Sequence, residues 1–201
     1  MENEPLIDEA LKSELATLYR AADRHYHGLA HIEAMRALAA EYRHLLHDPE
    51  AVEAAIWFHD AIYDSRAKDN EARSAALAEG KLAGRVQPAR LARILAMINA
   101  TATHEPPPFE DGNAADDAAL FLDMDLAILG AGSETFDAYE RAVRLEYGWV
   151  EEPIWRAGRA AVLKNFLGRP HVFGTEPFRQ RFEAQARKNL SRSLQALQNH
   201  G

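Results

Sequence analysis

Apolar residues recur along this chain at helical spacing, three and four apart, almost from end to end. LIDEALKSELATLYR (6–20) shows the pattern first, and a second helix is expected from about Leu29 to Leu46. Asp48 followed by Pro49 reads as a cap and a first helical residue, opening PEAVEAAIWFHDAIYD (49–64). NEARSAALAEG (70–80) follows after the short loop SRAKD, and Pro88 opens PARLARILAMINATATH (88–104). The strong linker signal is EPPPFEDGN, from Glu105 to Asn113, with three consecutive prolines and a glycine. A helix from about Asp116 to Leu129, ended by Gly130, is predicted beyond it. Ser133 is the expected cap of ETFDAYERAVRLEYGWV; Pro153 starts a helix that stops near Gly168, and Thr175 with Pro177 starts the last. Alternating strand patterns, internal repeats and low-complexity tracts are absent. The expected fold is all-α: one helical domain over residues 1–201, with a core at about 24–130 and C-terminal helices at about 133–199.

Composition narrows the chemistry. A chain of 201 residues with 47% apolar content can bury a core without covalent staples. It has no cysteine, so any metal must be held by His, Asp or Glu. A formal charge of −8 argues against nucleic-acid polymers and anionic membranes as partners. It leaves room for a small anionic substrate, because a bound cation can reverse the local field. No apolar run approaches the roughly 20 residues that span a bilayer, and the acidic start MENEPLIDEA lacks the apolar stretch of a secretory signal. A cytoplasmic location is the expectation, with a homo-oligomer left open.

Most of the nine histidines fall in the first half. RHYHGLAHIEAM contains His25, His27 and His31, and the last two would share a face of a continuous helix. AIWFHDAIYD places His59 and Asp60 in an apolar run expected to be mid-helix, where a charge needs a compensating partner. A second pair, His47-Asp48, precedes Pro49 and reads as a structural cap. ALFLDMDLAILG puts Asp123 and Asp125 in another apolar helix. One upstream histidine, the His-Asp pair and one late aspartate supply two imidazoles and two carboxylates. Such a set suits Mn, Mg, Fe, Co or Ni with positions left for water, and does not require zinc.

The order His, His-Asp, Asp on an all-helical chain resembles the HD superfamily of metal-dependent phosphohydrolases. RHYHGLAHIEAM, AIWFHDAIYD, NEARSA, FLDMDLAILG, RLEYGWV and FLGRPHVFGT are similar to a bacterial subfamily of predicted HD phosphohydrolases, over about Arg24 to Leu190. The resemblance implies an HD-type helical bundle with ligands His31, His59, Asp60 and Asp125. His31 is preferred to His27, and Asp125 to Asp123 because the second aspartate of Asp-x-Asp is the usual ligand. Many relatives carry a basic residue after that aspartate; here it is Leu126. Two-metal relatives add two histidines between the His-Asp and the last Asp. Here Asn70-Glu71 stands at the first place and His104 at the second, which favours one divalent ion (Mn, Mg, Co, Ni, Fe or Zn) and counts against the two-iron oxygenases.

The implied activity is hydrolysis of a small phosphomonoester or phosphodiester, nucleotides among the candidates, by metal-activated water. Asp60, Glu71 and His104 are the expected acid–base groups, and Arg24 and Arg144 the candidate phosphate contacts. The alternative is a non-catalytic sensor that keeps the metal, binds a nucleotide and acts through a protein partner.

Overall fold

The computed structural model describes residues 5–199, so the first four residues of the acidic N-terminal segment lie outside it. The described residues are helical, with no strand among them. They form α1 (Glu9–Leu18), α2 (Leu29–Glu41), α3 (Pro49–Phe58), α4 (Asn70–Leu82), α5 (Pro88–Ala100), α6 (Gly112–Leu126), α7 (Ser133–Glu146), α8 (Glu152–Gly168), a turn α9 (Glu176–Phe178) and α10 (Ala184–Asn199). No helix among the described residues is long and apolar enough to cross a membrane. The chain divides into two compact units, the first ending at Asp125 and the second beginning at Leu126.

In the first unit α3 is the central element, packed by α1, α2, α4 and α5. Its sequence explains this. Ala51, Val52, Ala54, Ala55, Ile56, Trp57 and Phe58 are all buried, so the helix is apolar nearly all round and its neighbours must cover every side. Asp48 caps it as expected, accepting from the Ala51 amide at 3.1 Å, with Pro49 at the first helical position. Arg90 of α5 grips the same carboxylate, with Nε 2.7 Å from Oδ2. Asp117, buried on α6, accepts from the His47 and Asp48 amides at 2.8 Å each. Further along α6, Phe121 meets the His59 ring edge-on at 5.9 Å. α6 therefore runs beside α3 in the same direction, and Asp125 arrives at the end of α3.

Several boundaries depart from the sequence expectation. The helix expected over 49–64 stops at Phe58, so His59 is its C-cap and His59-Asp60 is terminal, not mid-helix. The second helix begins at Leu29, which leaves His27 before it, and it ends at Glu41 with a 3₁₀ turn over Arg43–Leu45. α6 begins at Gly112, inside the expected linker, and passes into a 3₁₀ turn over Ala127–Gly130. Ser133 is the first residue of α7, and Gly132 is its cap.

In the second unit α10 packs on α8 and on the Ala127–Gly130 turn. The buried Asn189 side chain donates to the Leu129 and Ala131 carbonyls at 2.9 and 2.8 Å, closing that turn. Gly130 is required there, since a Cβ would lie 2.5 Å from the Phe182 Cβ and 2.8 Å from its carbonyl oxygen. Phe182 sits in a π-helical turn, Arg179–Glu183, that joins α9 to α10. Arg159 of α8 is buried against Glu140 and Tyr139 of α7.

Candidate metal centre

Four segments of the first unit deliver side chains to one point: the start of α2, the end of α3, the end of α5 and the end of α6. His31, the third residue of α2, is buried, and its Nδ1 lies 3.2 Å from the Tyr26 hydroxyl. His59 is 1% exposed and donates from Nδ1 to the Ile56 carbonyl at 3.0 Å. That bond commits the Nδ1–H tautomer and turns the Nε2 lone pair inward.

The inward atoms crowd together. His31 Nε2 lies 3.3 Å from His59 Nε2 and 3.1 Å from Asp125 Oδ1, and His59 Nε2 lies 3.7 Å from Asp125 Oδ1. These three residues form a group whose ligand atoms are all within 4.8 Å of one another. Asp60 adds Oδ2, 3.0 Å from His59 Nε2 and 4.0 Å from His31 Nε2. Donors at about 2.1 Å from one ion are separated by about 3.0 Å along an octahedral edge and about 3.4 Å along a tetrahedral one. The spacing of His31, His59 and Asp125 therefore fits a shared cation, and hard oxygen with imidazole nitrogen suits a divalent metal of the Mn–Zn series or Mg.

Two carboxylates and inward lone pairs cannot be left together in a buried site without positive charge. In the metal-free protein, protons must supply it. Burial pushes the His59 imidazole down, but the Asp60 carboxylate, by charge and hydrogen bond, and Asp125 behind it outweigh this and raise it to about 9. Burial pushes Asp60 and Asp125 up, yet both end below the ordinary carboxylate range. For Asp60 the cause is His59, with His27 and His31 adding to it; for Asp125 it is hydrogen bonds from His104 and His31.

The turn that presents Asp60 depends on what replaces helical hydrogen bonds after Phe58. Every helix leaves its last carbonyls without intrahelical partners. The Tyr19 hydroxyl donates to the Trp57 carbonyl at 3.0 Å. The Ala61 amide donates to that of Phe58 at 3.0 Å. Arg24 donates to the carbonyls of Asp60 at 2.6 Å and Ala61 at 2.8 Å. Ser74, fully buried on α4, accepts from the Ile62 amide at 3.0 Å and donates to the Ile62 carbonyl at 3.2 Å. Tyr19, Tyr26 and Ser74 were not anticipated as supports. Tyr26 and Ser74 lie within RHYHGLAH and NEARSA, but nothing in the spacing reveals a bond to a carbonyl or a ring nitrogen.

The other anticipated residues are placed as follows. His104 Nε2 reaches Asp125 Oδ2 at 3.0 Å, so its imidazole joins the cluster. Its backbone has φ 53, the left-handed region that disfavours a residue with a Cβ by roughly 1–2 kcal/mol. His27 stacks on Tyr63 at 4.3 Å and stands 6.4 Å, ring to ring, from His31. Asp123 is buried, and Asp125 is the aspartate of α6 that meets His31. Glu71 is the second residue of α4, half-buried, one turn before Ser74. Among the described residues it makes no hydrogen bond or ion pair with the cluster.

Neither anticipated phosphate contact is placed for that role. Arg24 commits its guanidinium to three carbonyls, the third being that of His27 at 3.0 Å. Arg144, in the second unit, donates to the Tyr147 and Val150 carbonyls and to Glu152, closing the loop between α7 and α8. In both cases the guanidinium is taken up by carbonyls that nearby helix ends and turns leave without helical partners.

Comparison with family models, with curated proteins and with solved structures gives no significant match.

Proposed function

We propose that this chain is a metal-dependent phosphohydrolase of the HD type, acting on a small phosphomonoester or phosphodiester such as a nucleotide. One observation carries the reading: His31, His59 and Asp125, spread over 95 residues of sequence, hold ligand atoms within 4.8 Å of one another, and Asp60 Oδ2 stands 3.0 Å from His59 Nε2. The likeness of their order to the HD superfamily supplies the reaction class.

A divalent ion, when bound, supplies a Lewis acid for a phosphoryl oxygen and lowers the pKa of a water. His31, His59, Asp60 and Asp125 are the residues to hold it. The Ile56 carbonyl and the Tyr26 hydroxyl hold the two imidazoles in orientation. His104 occupies Oδ2 of Asp125, which leaves Oδ1 for the cluster. With a side chain 23% exposed, His104 is the cluster member most open to a substrate, and its imidazole can give or take a proton. Asp60 is a second proton acceptor. Glu71 lies on the face of α4 that carries Ser74 to the His-Asp turn, which keeps it a candidate.

The test is a phosphatase and phosphodiesterase screen on protein reconstituted with Mn, Co, Ni or Mg. It should cover nucleoside mono-, di- and triphosphates and a generic diester. Metal-dependent release of product, lost in His59→Ala and Asp60→Ala, is expected. Metal binding with no turnover on any class would point to the sensor alternative.

A further inference from the structure

The Arg24 side chain hydrogen-bonds both segments leading to the proposed ligands. Nη1 donates to the carbonyl of His27, four residues before His31, at 3.0 Å. The same nitrogen donates to the carbonyl of Asp60 at 2.6 Å, and Nη2 donates to that of Ala61 at 2.8 Å. The guanidinium also lies near two aromatic rings, 5.0 Å from the Tyr19 ring centre and 5.6 Å from that of Tyr63. Tyr19 is itself fixed by its bond to the Trp57 carbonyl.

We propose that Arg24 is a positioning residue of the metal centre, setting the separation of the His31 and His59-Asp60 segments without touching the ion or the substrate. The inference rests on the metal reading above and deepens it. The chain leaves the helix at Phe58, so the hydrogen-bond ladder of α3 does not extend to Asp60, and its turn is held by the Ala61–Phe58 bond together with groups from outside the helix. A planar fork with five donors can serve three carbonyls on two segments at once. An ammonium is a single point and cannot span them in the same geometry. Loss of the fork frees the His-Asp turn to shift relative to α2. A shift of a few tenths of an ångström changes donor spacing enough to alter coordination.

Cobalt(II) titration of the full chain, followed by its visible absorption, tests this, because those bands report coordination number and geometry. The wild type, Arg24→Gln and Arg24→Lys are compared, with Asp48→Ala as a variant that is destabilised away from the centre. Both Arg24 variants are expected to keep their far-ultraviolet helix signal. Arg24→Gln should bind cobalt about 10-fold or more weakly, the scale for outer supports of a metal site, with an altered absorption envelope. Arg24→Lys should fall between it and the wild type. Asp48→Ala should melt earlier yet keep the wild-type spectrum. Wild-type affinity and spectrum in both Arg24 variants would overturn the inference alone. So would cobalt loss that merely parallels helix loss, which would make Arg24 a folding residue. Failure of the wild type to take up cobalt would remove the metal reading, and this inference with it.

Discussion

The Nε2 atoms of His31 and His59 face each other at 3.3 Å, although 28 residues separate them in sequence. Since His59 donates from Nδ1 to the Ile56 carbonyl, its neutral form brings a lone pair to that meeting, beside two carboxylates. Only a cation, a proton or a metal ion, makes such a meeting favourable in a buried site.

The chain contains two His-Asp pairs, and their surroundings assign them different work. His59→Ala or Asp60→Ala should abolish metal uptake. Asp48→Ala should leave it intact and cost about 1 kcal/mol for the cap, with more from stranding Arg90. Calorimetric metal titration and thermal melts of the same variants check this. Loss of metal at Asp48 and not at 59 and 60 would mean that the wrong pair has been read as the site.

Metal affinity should depend on pH. In the metal-free protein His59 holds a proton up to about 9, and a metal must displace it. Apparent affinity should therefore rise with pH, by up to about tenfold per unit per proton released, and level off above about 9. The metal-free fold should behave oppositely. A histidine raised from 6.5 to about 9 stabilises the fold fully below 6.5, and that share is lost as pH rises through 9. Titrations and melts between pH 6 and 10 would show both trends; an affinity flat over that range would contradict the proton competition.

His104 adopts φ 53 while carrying a side chain. His104→Ala keeps the strain and discards the Asp125 contact, whereas His104→Gly discards both. His104→Gly should accordingly be more stable than His104→Ala by about 1 kcal/mol. Denaturant unfolding of the two variants measures the difference. Equal stability would mean that the backbone relaxes and no strain is held there.

Proton transfer is divided between two candidates by substitution. His104→Ala and Glu71→Gln should each retain fold, and whichever group acts as acid or base should lose roughly 10²-fold or more in turnover. His104 has the direct contact with Asp125, while Glu71 has only its place on α4. Full activity of both on a genuine substrate would leave the proton to Asp60 or to solvent.

Much of this architecture was legible because helical period and proline-marked starts are local signals. Pro49 and Pro88 open α3 and α5 where expected, and Asp48 caps α3. The end of α3 was not legible. Nothing in PEAVEAAIWFHDAIYD breaks a helix, yet the chain leaves it at Phe58, and distant groups, Arg24 and Ser74, take the carbonyls of residues 60–62 beyond that end. The start of α6 at Gly112 was hidden by the proline and glycine cluster before it. At the centre, sequence could name His31, His59, Asp60 and Asp125 through their order in the chain. His104 was named as an acid–base group, but its bond to Asp125 was not foreseeable, since it comes with a left-handed backbone at one residue. Nor could sequence show that both arginines chosen for phosphate would be occupied by carbonyls, because long-range hydrogen bonds leave no periodic trace.

Metal stoichiometry tests the central claim most directly. Protein prepared without chelator, and chelated protein titrated with Mn, Co, Ni and Zn, should carry about one divalent ion per chain. His31→Ala and Asp125→Ala should remove it. A chain that folds normally yet neither retains nor takes up any of these ions would contradict the metal centre. Uptake unchanged by substitutions at 31, 59, 60 and 125 would contradict it equally.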